Sequence, residues 1–256
     1  MQTLQRHPSV LPNITWQKLP EDFLLPDEPV ESNLQPLLAS ALRESLELAG
    51  LILESMLIAS NFGLCANVND KTIVKAPDWV YIASVYSAHP GEIRRSYTPY
   101  AEGDNPAIVM EFISATEGTE YSINPHYPYG KWYFYEQILK VPVYIIFHPK
   151  TAALEVYRLV DGKYQIQKPD PNQLQNQLFW IENLGLFLGV WSGKKAEQNG
   201  NWLRWWDRAG NLLLWGSELL EQQRQLVEQQ RQRAEQAEEK ANLLAERLKL
   251  RGDNLE

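Results

Sequence analysis

Two apolar runs separated by a short helical stretch constrain this chain more than any other feature. PAIVMEFIS (106–114) and VPVYIIFHP (141–149) are each long enough for one strand and too uniformly apolar to leave a face in water. Between them, KWYFYEQILK (131–140) sets Lys131, Tyr135 and Ile138 near one face of a helix. Pro142 limits that helix, because the residue before a proline avoids the helical region. Strand, helix and strand in this order predict a right-handed crossover with the two strands parallel.

The flanking segments extend this unit into an α/β or α+β fold. A first helix is marked by Ser32 and Gln35, which fit a capping box, and by Leu34, Leu37, Leu38, Ala41, Leu42 and Leu46 at helical spacing, with Gly50 ending the run. LILESMLIA, FGLCANV and TIVKAPDWVYIAS read as short strands. Pro77 puts the last of these at an edge or breaks it nearby. ALEVYRLV and KYQIQ are split by Asp161-Gly162, a hairpin signal, and WLRWWDRAGNLLLW predicts a second hairpin turning at Asp207 to Gly210.

Residues 217–250 differ from everything before them. They contain no glycine, proline or aromatic residue and are rich in helix formers. Leu220, Gln223, Val227, Gln230, Ala234, Ala237, Ala241, Leu244 and Leu248 recur in alternating steps of three and four, a heptad seam with small or polar residues in several core slots. The segment predicts a coiled-coil helix about 50 Å long that joins copies of the chain or tethers it, the alternative being a solvated helix without a partner. Turn formers bracket the body: Pro20, Pro26 and Pro29 in front, and a series of glycines from Gly185 to Gly216 behind. The expected organisation is a domain over 20–190, an aromatic hairpin or linker over 191–216, and the coiled-coil helix over 217–250.

Composition excludes several chemistries. One cysteine, Cys65, allows neither an internal disulfide framework nor a cysteine-built zinc site, and it reads as inert core. His7, His89, His126 and His148 lack zinc-ligand spacing. Glycines form neither G-x-G-x-x-G nor a Walker loop, and Ser114 lacks a nucleophile elbow. No run reaches the ~18 apolar residues of a membrane helix, and the first residues lack a secretory apolar stretch, so a cytoplasmic protein without membrane contact is expected. With 24 Lys and Arg against 32 Asp and Glu, the formal charge is −8. That charge gives no overall attraction for nucleic acid and leaves a local basic patch open.

Two acids stand where acids are costly. Asp78 precedes Trp79-Val80-Tyr81-Ile82, and Glu111 lies between Met110 and Phe112 inside the 106–114 strand. A carboxylate so placed must be neutralised, paired with a buried cation, hydrogen-bonded, or bound to a metal. Two such acids on neighbouring strands and facing the same way make a site for Mg²⁺, but spacing alone favours the simpler reading, a pair with a buried Arg or Lys. Lys131 begins the following helix, where it either faces solvent or lies over the carboxyl end of the Glu111 strand.

Pro77-Asp78, then Glu111-Phe112-Ile113-Ser114, then Lys131 with Tyr135 four residues on, together resemble the PD-(D/E)xK nuclease superfamily. They are most similar to its Uma2 family of restriction-endonuclease-like proteins, in the form found in cyanobacteria. The likeness spans about residues 20–190, and the WLRWWDRAGNLLL run with its Glu/Gln/Ala-rich coil is similar to the tail of many such proteins. It implies a restriction-endonuclease-like core of mixed sheet flanked by helices. It also implies Mg²⁺ (or Mn²⁺) held by Asp78, Glu111 and the Phe112 backbone carbonyl, with Lys131 positioning and polarising the attacking water. The usual superfamily lysine stands two residues after the acid, where this chain has Ile113. Glu31 would match an additional acid sometimes found before the first helix. The implied reaction is hydrolysis of a phosphodiester, catalytic residues Asp78, Glu111 and Lys131, with nucleic acid, DNA above all, as substrate and a homo-oligomer formed through the C-terminal helix.

Lesser candidates remain open. Trp202, Trp205 and Trp206 with Arg204 and Arg208 either stack on bases or pack across a hairpin, and Arg94 and Arg95 either contact phosphate or form ordinary surface. The competing reading of the whole chain is a non-catalytic nuclease-fold protein that binds or scaffolds through its coiled coil.

Overall fold

The computed structural model describes residues 32–69, 71–86, 93–113, 119–173 and 177–252. Glu31, Ser114, His7, His89, Pro20, Pro26 and Pro29 lie outside the described residues.

The first helix, α1, runs Gln35–Leu48 and closes at Ala49, with Gly50 at φ +69° just past it. Five strands follow, β1 Leu57–Ala59, β2 Gly63–Val68, β3 Lys71–Lys75, β4 Trp79–Ile82 and β5 Ser96–Tyr97, then β6 Ile108–Phe112. Helix α2 spans Lys131–Tyr133 and continues as a wider π-helix over Phe134–Leu139. The chain then forms β7 Val143–His148, β8 Ala153–Val160, β9 Lys163–Ile166, β10 Phe179–Ile181, β11 Leu186–Lys195 and β12 Gln198–Trp206, and ends in helix α3, Gly216–Gly252.

A six-stranded mixed sheet, ordered β1-β4-β6-β7-β8-β9, forms the centre. β6 and β7 are parallel, with Glu111 level with Ile146, and the other neighbours in this sheet are antiparallel. The expected crossover is therefore present, and the fold is the α/β, restriction-endonuclease-like one. Side-chain alternation divides the core. Trp79, Tyr81, Met110, Phe112, Ile145 and Phe147 face α1 and a second sheet, β10-β11-β12. Val80, Ile82, Val109, Tyr144 and Ile146 face the π-helix and a third sheet, β3-β2-β5. Glu111, two residues after Val109, falls on that second face.

Several sequence expectations shift by identifiable physics. Pro77 breaks the stretch rather than marking an edge: β3 and β4 belong to different sheets, and β4 sits between β1 and β6. The Asp161-Gly162 turn forms with both φ values positive, as a type I′ two-residue hairpin requires. The second hairpin moves. Its arms are β11 and β12, turning at Ala196-Glu197, while Asp207 to Gly210 makes only a small terminal turn held by an isolated bridge from Trp206 to Leu212. Glycines hid β11, because Gly189 and Gly193 read as turn formers. Gly189 in fact sits where a Cβ would lie 2.4 Å from the Leu178 side chain, so the strand needs its missing side chain for packing. The boundary expected at 190/191 consequently falls inside β11.

Trp202 and Trp205 are fully buried and Trp206 nearly so, which corrects the base-stacking option: they pack in the core. Arg204 is buried too. Its guanidinium donates to Glu218 and to the Leu213 carbonyl, and it lies 3.4 Å from the Trp215 ring centroid. Arg94 is engaged by Glu102 and the Tyr86 carbonyl, within its own loop. Cys65 is half-buried on β2 rather than in the core. No helix among the described residues is long and apolar enough to cross a membrane.

Candidate active site

Asp78 and Glu111 meet because of where the ladder between β4 and β6 stops. The last paired positions are Trp79 and Met110. Beyond them Pro77 has no N–H to offer, and the Asp78 carboxylate takes over by accepting a hydrogen bond from the Phe112 N–H. One residue back, Glu111 points to the opposite face of β6 and is 1% exposed.

The crossover helix supplies its partners. Gly130, before Lys131, passes so close to the Ser122 carbonyl that a Cβ there would lie 2.0 Å from it. That close approach brings the first turn of α2 over the end of β6. Lys131 Nζ donates to Glu111 Oε2 at 2.9 Å, and Tyr135 donates its hydroxyl to Oε1 at 3.0 Å. The four-residue spacing sets both on one face, and the switch from α- to π-helix falls at this turn, a distortion often associated with functional sites. Lys131 also lies 3.9 Å from Glu120, whose Oε2 is buried without a hydrogen-bond partner.

Electrostatics make Glu111 the unstable member. Burial pushes its carboxyl up to about 8; the like charge of Asp78 adds to this, and Lys131 and Tyr135 pull against it. Burial works against the charge on Lys131, but Glu111 outweighs it and holds the amine above its ordinary value. Lys75, at the end of β3, is lowered first by burial and then by the repulsion of Lys131, which shows that it shares the same field. Tyr135, fully buried beside a carboxylate, stays protonated well above its ordinary range.

Asp78, Glu111, Phe112 and Lys131 are thus brought together. Sequence reasoning gave no role to four further residues. Gln35, read as a helix cap, does accept from the Ser32 N–H at 2.7 Å, yet its Nε2 also reaches the Phe112 carbonyl at 2.9 Å. Tyr135 was visible at i+4 from Lys131. Lys75 stands three residues before Asp78, and Glu120 lies in a polar connection without periodicity, so nothing in the sequence singled either out.

Among the described residues no three His, Cys, Asp or Glu side chains converge as a metal cluster. The donors that the family likeness implies are two carboxylates and one carbonyl oxygen, all hard oxygen ligands, which would suit Mg²⁺ or Mn²⁺. A carboxylate whose charge is costly, next to another acid, is the chemistry a divalent cation relieves, so the residues fit such an ion.

A mixed sheet with a parallel central pair, an acid at the carboxyl end of the first of these strands, a second acid immediately before its antiparallel neighbour and a lysine on the crossover helix defines a restriction-endonuclease-like protein. The model of one family of that class, Uma2, described as “Putative restriction endonuclease”, matches residues 24–186. The chain belongs to the Uma2 family. No curated protein sequence matches it. Family membership makes it nuclease-like, with nucleic acid as the class of substrate.

Proposed function

We propose that this protein is a divalent-cation-dependent endonuclease that hydrolyses phosphodiester bonds, with DNA as its substrate. Asp78, Glu111 and the Phe112 carbonyl would hold Mg²⁺ or Mn²⁺. The bound ion would supply Lewis-acid stabilisation of phosphate charge and a water of lowered pKa. Lys131 would position the attacking water and offset negative charge as it develops on the phosphate. Tyr135 fixes the Glu111 carboxylate so that its oxygens stay aimed at the site, and Lys75 adds a second amine for a phosphate oxygen. The formal charge of −8 means that these lysines, rather than the whole surface, must draw the polyanion in. The observation that carries the reading is the convergence of Lys131 and Tyr135 on a buried Glu111 whose neighbour Phe112 is bonded to Asp78.

The test is cleavage of single- and double-stranded DNA and of RNA by the wild type, Asp78→Asn, Glu111→Gln and Lys131→Ala, with Mg²⁺ or Mn²⁺ and with EDTA. Cation-dependent cleavage of DNA by the wild type, lost in all three variants, supports the proposal; an inert wild type on every substrate overturns it. In that event the alternative of a non-catalytic scaffold gains, favoured by the 37-residue helix α3, which has no buried residue. In either case we assign α3 to homo-oligomerisation.

A further inference from the structure

The side-chain amide of Gln35 is pinned at both ends. Its Oε1 accepts from the Ser32 N–H at 2.7 Å, so its Nε2 must face the site. There it donates to the Phe112 carbonyl at 2.9 Å and lies 3.4 Å from each oxygen of Asp78. The reversed amide would lose the Ser32 bond and turn oxygen lone pairs toward a carboxylate. These three oxygens belong to the two groups assigned above to the ion alongside Glu111. An amide NH₂ is neutral but presents two partly positive hydrogens, so it satisfies part of what a cation would satisfy.

We propose that Gln35 is a cation surrogate. It holds the Asp78 and Phe112 oxygens together in the metal-free protein and withdraws from them when a divalent cation enters, and so sets the affinity for that ion. The inference rests on the metal-dependent reading above and deepens it. Gln35 is a positioning residue, since it acts on the ligands of the ion rather than on substrate. Its withdrawal is local. Gln35 is the first residue of α1, Pro36 follows it, and the rest of that helix is anchored by Leu38, Leu42 and Leu46 in the core. A rotation of one side chain, with release of the Ser32 N–H, clears the site without moving the helix.

The surrogate predicts effects of opposite sign, which a merely structural role does not. Gln35→Met keeps the length and removes both the donors and the acceptor. In EDTA its melting temperature should fall below that of the wild type, because Asp78 and Phe112 lose their partner. Its affinity for Mn²⁺, read from the electron paramagnetic resonance signal of the free ion, should rise about tenfold, the equivalent of one charge-assisted hydrogen bond no longer broken on binding. A wild type that binds Mn²⁺ beside a variant that binds it equally or more weakly overturns the surrogate alone. A wild type that binds no Mn²⁺ at millimolar concentration overturns the metal-dependent reading and this inference with it. Should Gln35→Met fail to fold, the wild type still decides. The side-chain NH₂ resonances of Gln35 should shift on Mg²⁺ titration with the midpoint of ion binding, and resonances unmoved at saturation refute the proposal.

Discussion

Tyr135 donates its hydroxyl to Glu111 across 24 positions of sequence, from the first residues of a π-helical turn to the end of a fully buried strand. Both residues are shut away from water, so the bond has no solvent substitute. Tyr135→Phe removes the donor with almost no change in shape and leaves Glu111 Oε1 without it. We expect a loss of about 1–3 kcal/mol in a denaturant titration at pH 7, with an unchanged slope. Cleavage should weaken further than stability does, because the carboxylate also loses its orientation; equal activity in the two proteins would count against that part.

Glu111 gives the metal-free protein an unusual dependence on pH. Its folded-state value, about 8, lies above the ordinary 4.5, so the folded protein holds a proton that the unfolded chain releases. The contribution is therefore favourable at low pH and is lost as pH rises from about 4.5 to about 8, the reverse of an ordinary paired carboxylate. In EDTA, the difference in stability between Glu111→Gln and wild type should move in the variant's favour across this window, measured by chemical denaturation at several pH values. Adding Mg²⁺ should shrink the difference, since a cation at the site stabilises the charged carboxylate.

The sequence made the frame of the site legible and left its lining obscure, for a physical reason. Strands β6 and β7 announce themselves because burial on both faces demands unbroken apolar runs, and an acid such as Glu111 stands out against them. Helix α1 was legible from the periodicity of Leu38, Leu42 and Leu46. Gln35, Lys75 and Glu120 sit in half-exposed or polar contexts where their residue types cost nothing, so only the fold shows that they share one field. Strand β11 was missed because Gly189 answers to Leu178 and Trp206, neighbours that no local pattern reveals. The tryptophans of β12 could be read as surface or core, and burial decided for core.

Arg204 and Glu218 form the joint between the body and α3. The guanidinium is fully buried, donates twice to the carboxylate, and stacks on Trp215, whose backbone N–H also donates to Glu218. Burial alone would push Glu218 up, but the hydrogen bond from Arg204, together with that from Trp215, holds it below its ordinary value. Its contribution is thus present above pH 4.5 and lost as pH falls through the lower folded value. Glu218→Gln leaves a buried charge without its counter-charge, and a loss of about 3–5 kcal/mol is expected by thermal or chemical denaturation at pH 7. A loss below about 1 kcal/mol would show that the Trp215 ring and the Leu213 carbonyl suffice for Arg204.

The same joint fixes where α3 can be cut. Beyond Leu219 the helix buries nothing, and Leu220, Val227, Leu244 and Leu248 of the heptad seam are 49–69% exposed. Their burial cannot support the body, whereas Trp215 and Glu218 do. A chain ending after Leu220 should keep the melting temperature of the full protein within about 2 °C, while a chain ending at Gly216 should lose Arg204's partner and melt lower. Oligomerisation through the seam predicts that light scattering finds the full chain as a multimer and the Leu220 truncation as a monomer. A weak zipper, with Gln and Ala in several core slots, should in addition dissociate on dilution. A full-length chain that is monomeric at every concentration would leave α3 as a solvated arm and remove the oligomer from the proposed function.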